Sequence, residues 1–397
     1  MIFIDFALNE TKSDAMLAFR LFFQPWRWRK GKEINNLKRR LKTRFFSSDS
    51  SIFFFLTGRA ALYQYLSSLG LKKGDEILVQ GFTCEAVVLP ILELGFKPVY
   101  VDVNSSDFSM SIKDVKNKYT SKAKAMLIQH TFGITPTDRK ELIEFANKHS
   151  LHIIEDVAHG FDPNIFRSKR YPGAVLMSFG RSKSFSSVFG GAIAVRGVRS
   201  GKSVRAVEKN IPNPSVWILL QTIFYKIHSV IIKSTYDIFL GKIIHFLFKQ
   251  LYLMMPEVTK KEKNGHFNFM FLATYPNIAA IFMHAQLDRF NDVLTQRKKT
   301  SYIYDAKLGT SISRGQGLLR YPFLCENPNE LQTLLKKHRI QTGRWYSQVV
   351  APPELDLLNV DYIRGSCPIA ESLCKRVLNL PTHISVRDAK RILNLLP

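Results

Sequence analysis

The sequence predicts an α/β protein: a mainly parallel sheet with crossover helices, followed by a smaller C-terminal α+β domain. Two observations carry this. From Ile52 onward, short apolar runs alternate with helical-period segments of about ten to fifteen residues, the pattern of strand–helix–strand units. Polar residues then gather just beyond the run ends, at Gln129-His130, at Glu155-Asp156 and around Ser178. In an open parallel sheet, ligands bind at the carboxyl ends of the strands.

The elements follow in order. RAALYQYLSSLGL has apolar residues at helical spacing and stops at Gly70; DEILVQG reads as a short buried strand. EAVVLPILELG is a helix, KPVYVDV a strand, and AKAMLIQHTFG another strand. DRKELIEFANKHS is a helix, and LHIIEDVAHG a strand that ends in acids. Asn277–Phe290 is an amphipathic helix, and from about Ser311 short strands and helices mix. The expected division is a basic amino-terminal arm at 1–50, a large domain at 51–300 with a hydrophobic insertion at 215–255, and a small domain at 301–397.

The chain has 397 residues, 46% of them apolar, enough for a sizeable core. Cys84, Cys325, Cys367 and Cys374 show neither C-x-x-C spacing nor a metal-finger pattern, so reduced thiols and no metal are expected. The net charge of +25 implies attraction to anions. No nucleic-acid signature accompanies it, so a specific nucleic-acid partner is not expected. Met1–Ala7 lacks a basic leader and a cleavage site, which points to the cytoplasmic side.

Two segments stand apart. Pro25–Arg44 carries nine basic residues and one acid behind Trp26 and Trp28. It reads either as a solvated basic arm or as an interfacial anchor with tryptophan at the headgroup level. Ser215–Met255 is very apolar but lacks the ~20 uninterrupted apolar residues of a spanning helix. Lys226 and Lys233 are seven apart, as are Lys242 and Lys249, so two amphipathic helices are expected. Their apolar faces would meet the inner face of a membrane, a partner subunit or the protein's own core.

MSFGRSKSFSSVFGGAIAV, Met177–Val195, places Lys183 between a Ser-Phe-Gly turn and a diglycine. Glycine allows close backbone approach to a ligand, so Lys183 is a candidate functional amine. Asp156 closes the strand LHIIED, and Thr57-Gly58 precedes a helix whose first N–H groups could cradle an anion. A lysine able to form an imine, an acid for a protonated ring nitrogen and an anion cradle are the parts of a pyridoxal 5'-phosphate site.

Five blocks, in order, resemble the DegT/DnrJ/StrS-type nucleotide-sugar aminotransferases of pyridoxal-phosphate fold type I, over roughly Phe53–Pro397. They are TGRAALYQYLSSLGLKKGDEILVQGFT, GFKPVYVDV, HIIEDVAHG, SFGRSK and CPIAESLCKRVLNLPTH. The resemblance implies a large seven-stranded, mainly parallel domain that binds the cofactor. It also implies transfer of an amino group from an amino acid such as glutamate to a keto-sugar, and a homodimer. By it Lys183 and Asp156 are catalytic: the imine lysine and the pyridine-nitrogen partner. His159 would contact the phenolic oxygen, and Ser178, Gly58 and Arg59 the phosphate. Phe82 or Cys84 would stand near the ring, and Asn277 lies where the family often places an asparagine reaching the partner's cofactor.

Three features depart from the family pattern: Arg59 where threonine is usual, Cys84 where an aromatic is common, and the insertion with the basic amino terminus. They leave open a family enzyme acting on a lipid-linked sugar or as a dehydratase, although dehydratases of the family carry histidine at the Lys183 position. A non-catalytic scaffold binding membranes or polyanions is the third alternative.

Overall fold

A computed structural model describes residues 1–167, 173–208, 210–251 and 253–397. Helices α1 (Lys12–Phe22) and α2 (Glu33–Phe45) come first. Strands β1 (Ser50–Phe55), β2 (Glu76–Gln80), β3 (Thr83–Cys84), β4 (Lys97–Val101), β5 (Ala123–Gln129), β6 (His152–Asp156), β7 (Ala174–Ser178) and β8 (Gly191–Arg196) follow. All but β3 form one seven-stranded sheet in the order β1-β8-β7-β6-β5-β2-β4. The strands from β4 to β7 run parallel, while β8 is antiparallel to both β7 and β1. The sequence reading assigned no strand at SSIFFF, the edge strand β1.

Alternation along each strand feeds two layers, because successive side chains point to opposite faces. Ile77, Val79, Ala125, Leu127 and Leu176 pack in one cluster with α3 (Gly58–Ser67) and α4 (Glu85–Glu93). Leu78, Met126 and Ile128 face the other way, onto α5 (Ile112–Lys118) and α6 (Arg139–Lys148). Both faces are covered, so the strands read as nearly continuous apolar runs.

The chain continues through α7 (Val198–Glu208), α8 (Val216–Thr235), α9 (Leu240–Gln250), the single turn α10 (Lys260–Lys263), α11 (Asn277–Asp288) and α12 (Phe290–Leu308). The C-terminal part contains β9 (Arg320–Leu324), α13 (Pro328–Lys337), β10 (Val350–Ala351), α14 (Pro368–Arg376), β11 (Val377–Pro381) and α15 (Val386–Leu393). Here β9 and β11 pair antiparallel, and β10 pairs with β3, which docks this part beside Cys84. The boundary expected at 300/301 falls inside α12, so one continuous helix joins the two parts.

Residues 1–50 are not a free arm. Leu37, Leu41 and Phe45 of α2 are fully buried against α11 and the sheet. Arg40 pairs with Asp288, and Arg44 donates to Leu287 O (2.7 Å), which ties α2 to α11. Helix α1 packs on α8, and Ile2 pairs with Ile340 of the C-terminal part. Of the two tryptophans expected at an interface, only Trp26 is exposed. Trp28 is buried and donates its Nε1–H to Leu21 O (2.7 Å).

Lys226 also departs from the expected surface position. It is fully buried, bonded to both oxygens of Glu10 (2.8 Å each) and to Ser186 O (3.0 Å). Val216–Ile238 is long and apolar enough to cross a membrane by length and composition, but half of that apolar window is buried inside the protein.

Candidate active site

Three strand ends and one helix start meet in a cavity of about 290 Å³. β5 delivers Gln129, β6 delivers Asp156, β7 delivers Ser178, and the loop after β7 delivers Arg181 and Lys183. The diglycine explains how α3 joins them: a Cβ on Gly191 would lie 2.4 Å from Gly58 N, so a side chain there would push the helix start away. Thr57 caps α3 by accepting the Ala60 N–H (3.2 Å). The first-turn N–H groups at Gly58 and Arg59 have no acceptor within the helix, and both residues line the cavity beside Ser178. A Cβ on Gly58 would sit 3.2 Å from the Ser178 Cβ, so glycine lets the helix start pack close to Ser178.

The two central charges are each disfavoured by their surroundings. Burial pushes the Asp156 carboxyl up, against the Ala158 N–H that it accepts (2.9 Å) and the nearby charges of Lys183 and His130. Burial pulls the Lys183 amine down, against the attraction of Cys84, Asp156 and Glu257. Desolvation dominates both shifts, which favours a neutral, nucleophilic amine and a carboxylate stabilised by any added cation.

Gly58, Arg59, Cys84, Asp156, His159, Ser178 and Lys183 all line the cavity. Two expected residues do not. Phe82 is fully buried in an aromatic box with Phe108 (5.6 Å), Phe132 (6.1 Å) and Tyr346 (5.4 Å). Asn277 is held by the amino-terminal segment: its Nδ2 donates to Arg27 O (2.8 Å) and its Oδ1 accepts the Glu33 N–H (3.2 Å). Both ends of its amide are used within the chain.

The other members have partners of their own within the chain. The Arg59 guanidinium pairs with buried Glu262, lies 3.7 Å from Glu85 and donates to Glu257 O (2.8 Å). Its positive charge is spent on carboxylates, which leaves the backbone N–H for an anion. His159 Nδ1 accepts the Phe132 N–H (3.1 Å), so in the neutral ring the hydrogen is on Nε2, which faces the Tyr346 hydroxyl (3.0 Å). Burial, with the charges of Lys183 and Arg320, holds the His159 pKa well below its usual range. The Cys84 thiol is pushed up to about 11 by burial and by Glu85, so it is unreactive near neutral pH.

The sequence reading missed the opposite wall. Trp345 and Tyr346 come from the C-terminal part, and the Trp345 ring centre lies 4.9 Å from Lys183 Nζ. Arg320 stacks on the same ring, fully buried with Nε and Nη1 lacking partners. Glu257, just after the insertion, accepts the Ser182 hydroxyl (3.0 Å) and faces Arg181 Nε at 3.7 Å. The sequence signals were faint: an aromatic pair in GRWYS, and a Pro-Glu step where the hydrophobic run ends.

A lysine–aspartate pair at the strand ends of a mostly parallel sheet, beside a helix-start anion cradle, defines an aminotransferase-type site. The chain belongs to the DegT/DnrJ/EryC1/StrS aminotransferase family, which it matches over residues 10–209 and 258–396. It is 25% identical to GDP-perosamine synthase of Escherichia coli O157:H7 over 345 residues, 84% of this chain and 81% of that one. A shorter match, 29% over 167 residues (40% of this chain, 37% of the relative), is to 3-oxo-glucose-6-phosphate:glutamate aminotransferase of Bacillus subtilis. In fold it is similar to the sugar aminotransferase Spr1654 of Streptococcus pneumoniae in its PMP form, with TM-score 0.74, 18% identity and coverage of 100% and 98%. The family match skips residues 210–257, which span the insertion.

The donor set fits pyridoxal 5'-phosphate. A raised, buried carboxylate suits a protonated ring nitrogen, a depressed amine suits an aldehyde, and a helix start beside the Ser178 hydroxyl suits a phosphate.

Proposed function

We propose that this chain is a pyridoxal-phosphate-dependent sugar aminotransferase. It moves an amino group from an amino acid, glutamate being the expected donor, to a ketone on a nucleotide-linked sugar. The observation that carries this reading is the pairing of Lys183 and Asp156 in one cavity, each with its own charge disfavoured by burial. The names of relatives support the substrate class: a GDP-perosamine synthase and a UDP-N-acetyl-3-dehydro-glucosamine aminotransferase of Acidithiobacillus ferrooxidans.

When bound, the cofactor supplies an electron sink and carries the amino group between the two substrates. The protein's residues do the rest. Lys183 would hold the aldehyde and, as a free amine, take up and return the proton at the substrate carbon in each half-reaction. Asp156 would keep the ring nitrogen protonated. The Gly58 and Arg59 N–H groups and the Ser178 hydroxyl would hold the phosphate. Cys84, at the cavity wall, would stand beside the ring, and the His159–Tyr346 pair would supply a hydrogen-bonding group for its phenolic oxygen. Arg181 also lines the cavity, with its guanidinium facing Glu257 at 3.7 Å.

The reading includes a homodimer, a place in surface polysaccharide or related sugar biosynthesis, and work on the cytoplasmic side against the inner face of the membrane. The test is direct. Purified protein should be yellow, with an absorbance band that borohydride abolishes, and it should aminate a keto-sugar in a panel of GDP-, UDP- and dTDP-linked substrates with glutamate. A colourless protein that takes up no pyridoxal phosphate overturns the reading.

A further inference from the structure

We infer that α1, α8 and α9 present one surface that lies in the interface of an anionic bilayer, without α8 crossing it. This inference does not depend on the chemistry at Lys183.

The first observation is that α8 is apolar on both sides. Ile218, Leu219, Ile223, Tyr225 and Ile232 face inward together with Gln221, Thr222, Lys226 and Ser229, while the outward stripe has Trp217 and Ile231 exposed and Leu220, Phe224 and Ile227 half-buried. A helix on a water-facing surface keeps its outward face polar. Lys226 and its Glu10 partner anchor the inner side to the body of the protein, which holds the apolar stripe outward.

The second observation is α9. Leu240, Ile243, Phe246, Leu247 and Leu251 are all exposed, Phe246 at 60%, and they follow exposed Ile238 and Phe239. At 100° per residue these side chains cover one arc, and the exposed Lys242 and Lys249 lie together along one edge of it. Apolar residues below and lysines at the edge are the arrangement of a helix lying in a membrane interface.

On α1, Met16, Phe19 and Phe23 are exposed, and Trp26 beyond the helix is 73% exposed. A run of ring contacts joins the three helices: Phe19–Phe23 (5.4 Å), Phe22–Phe23 (5.2 Å), Phe22–Phe224 (5.6 Å), Phe224–His228 (5.5 Å) and His228–Phe248 (3.8 Å). The apolar surface is therefore continuous.

Charge selects the occupant. The rim carries Lys12, Arg20, Arg29, Lys30, Lys242 and Lys249, and the acids on these helices are taken: Asp14 by Arg289 and Asp237 by the Met1 amine. A second copy would bring like charges together across this face, on a chain of net charge +25. Anionic lipid headgroups complement the rim, and the acyl region takes the stripe.

The test uses the full-length, cofactor-loaded protein with phosphatidylcholine vesicles, with and without phosphatidylglycerol. Wild type should sediment with the anionic vesicles, and part of it should stay bound at high salt. F246D/L247D, at exposed positions outside the catalytic cavity, should keep its melting temperature and reduce partitioning about tenfold or more, since a charge cannot enter the apolar layer. K242E/K249E should lose mainly the salt-sensitive part. Three results overturn the inference: no sedimentation with anionic vesicles, retention after alkaline carbonate washing (which would make α8 a span), or a dimer that F246D/L247D converts to monomer. Transaminase activity toward a water-soluble sugar nucleotide, measured in the same samples, separates failure of docking from failure of the proposed reaction.

Discussion

The Lys183 amine, in the loop after β7, and the Trp345 ring, from the C-terminal part, meet at 4.9 Å across the cavity. Arg320 stacks on that ring, and its charge is one of the influences that lower the Lys183 pKa, while Asp156 raises it. The C-terminal part and the sheet therefore pull the amine in opposite directions.

Opposite shifts should follow from removing either charge. Capture of pyridoxal phosphate by the apoprotein needs the neutral amine, so its rate rises with pH to a midpoint below the ordinary lysine value of 10.5. Arg320→Met removes a repelling cation and should move that midpoint up. Asp156→Asn removes an attracting anion and should move it down. Stopped-flow absorbance across a pH series measures both, and shifts of the same sign would remove these charges from the account.

Lys183→Ala should leave the fold intact and bind cofactor without a covalent link. Its activity should fall to background, because the other cavity-lining residues among those described offer no second aliphatic amine. Borohydride treatment followed by mass analysis reads the loss of the link, and turnover at the wild-type rate would exclude Lys183 as the catalytic amine.

Asp156→Asn should keep bound cofactor yet lower kcat by about 100-fold, since a neutral amide does not hold the ring nitrogen protonated. The absorbance of the bound cofactor should change as well. Near-normal kcat would show that the carboxylate is not needed.

The buried Glu10–Lys226 pair makes a stability prediction. Lys226→Met leaves a buried carboxylate alone, which should cost about 3–5 kcal/mol. Burial already holds the Glu10 pKa above its ordinary 4.5, and losing the lysine raises it further. A raised folded pKa means stability is kept below the unfolded carboxylate's pKa and lost as pH rises through the folded value. The melting-temperature deficit of K226M should therefore widen with rising pH, and E10Q/K226M should recover much of it.

Much of this protein was already present in local pattern. The parallel sheet was legible because each strand buries both faces, which leaves uninterrupted apolar runs such as EILVQ and AMLIQ between helical segments. Asp156, Ser178 and Lys183 were legible because each follows a strand end, and the diglycine marked where α3 must come close. Only the tertiary structure decided the rest, because it depends on contacts between residues far apart in the chain. Phe82 and Asn277 have suitable side chains, but one is enclosed by Phe108, Phe132 and Tyr346 and the other is bound by Arg27 and Glu33. Arg59 carries the charge a phosphate would attract, yet Glu262 and Glu85, distant in sequence, neutralise it. Lys226 and Lys233 have the same spacing as Lys242 and Lys249, but a carboxylate 216 residues away draws Lys226 into the interior. Spacing along one segment determines which side chains share a face, and only packing against the rest of the chain determines whether that face meets water, protein or ligand.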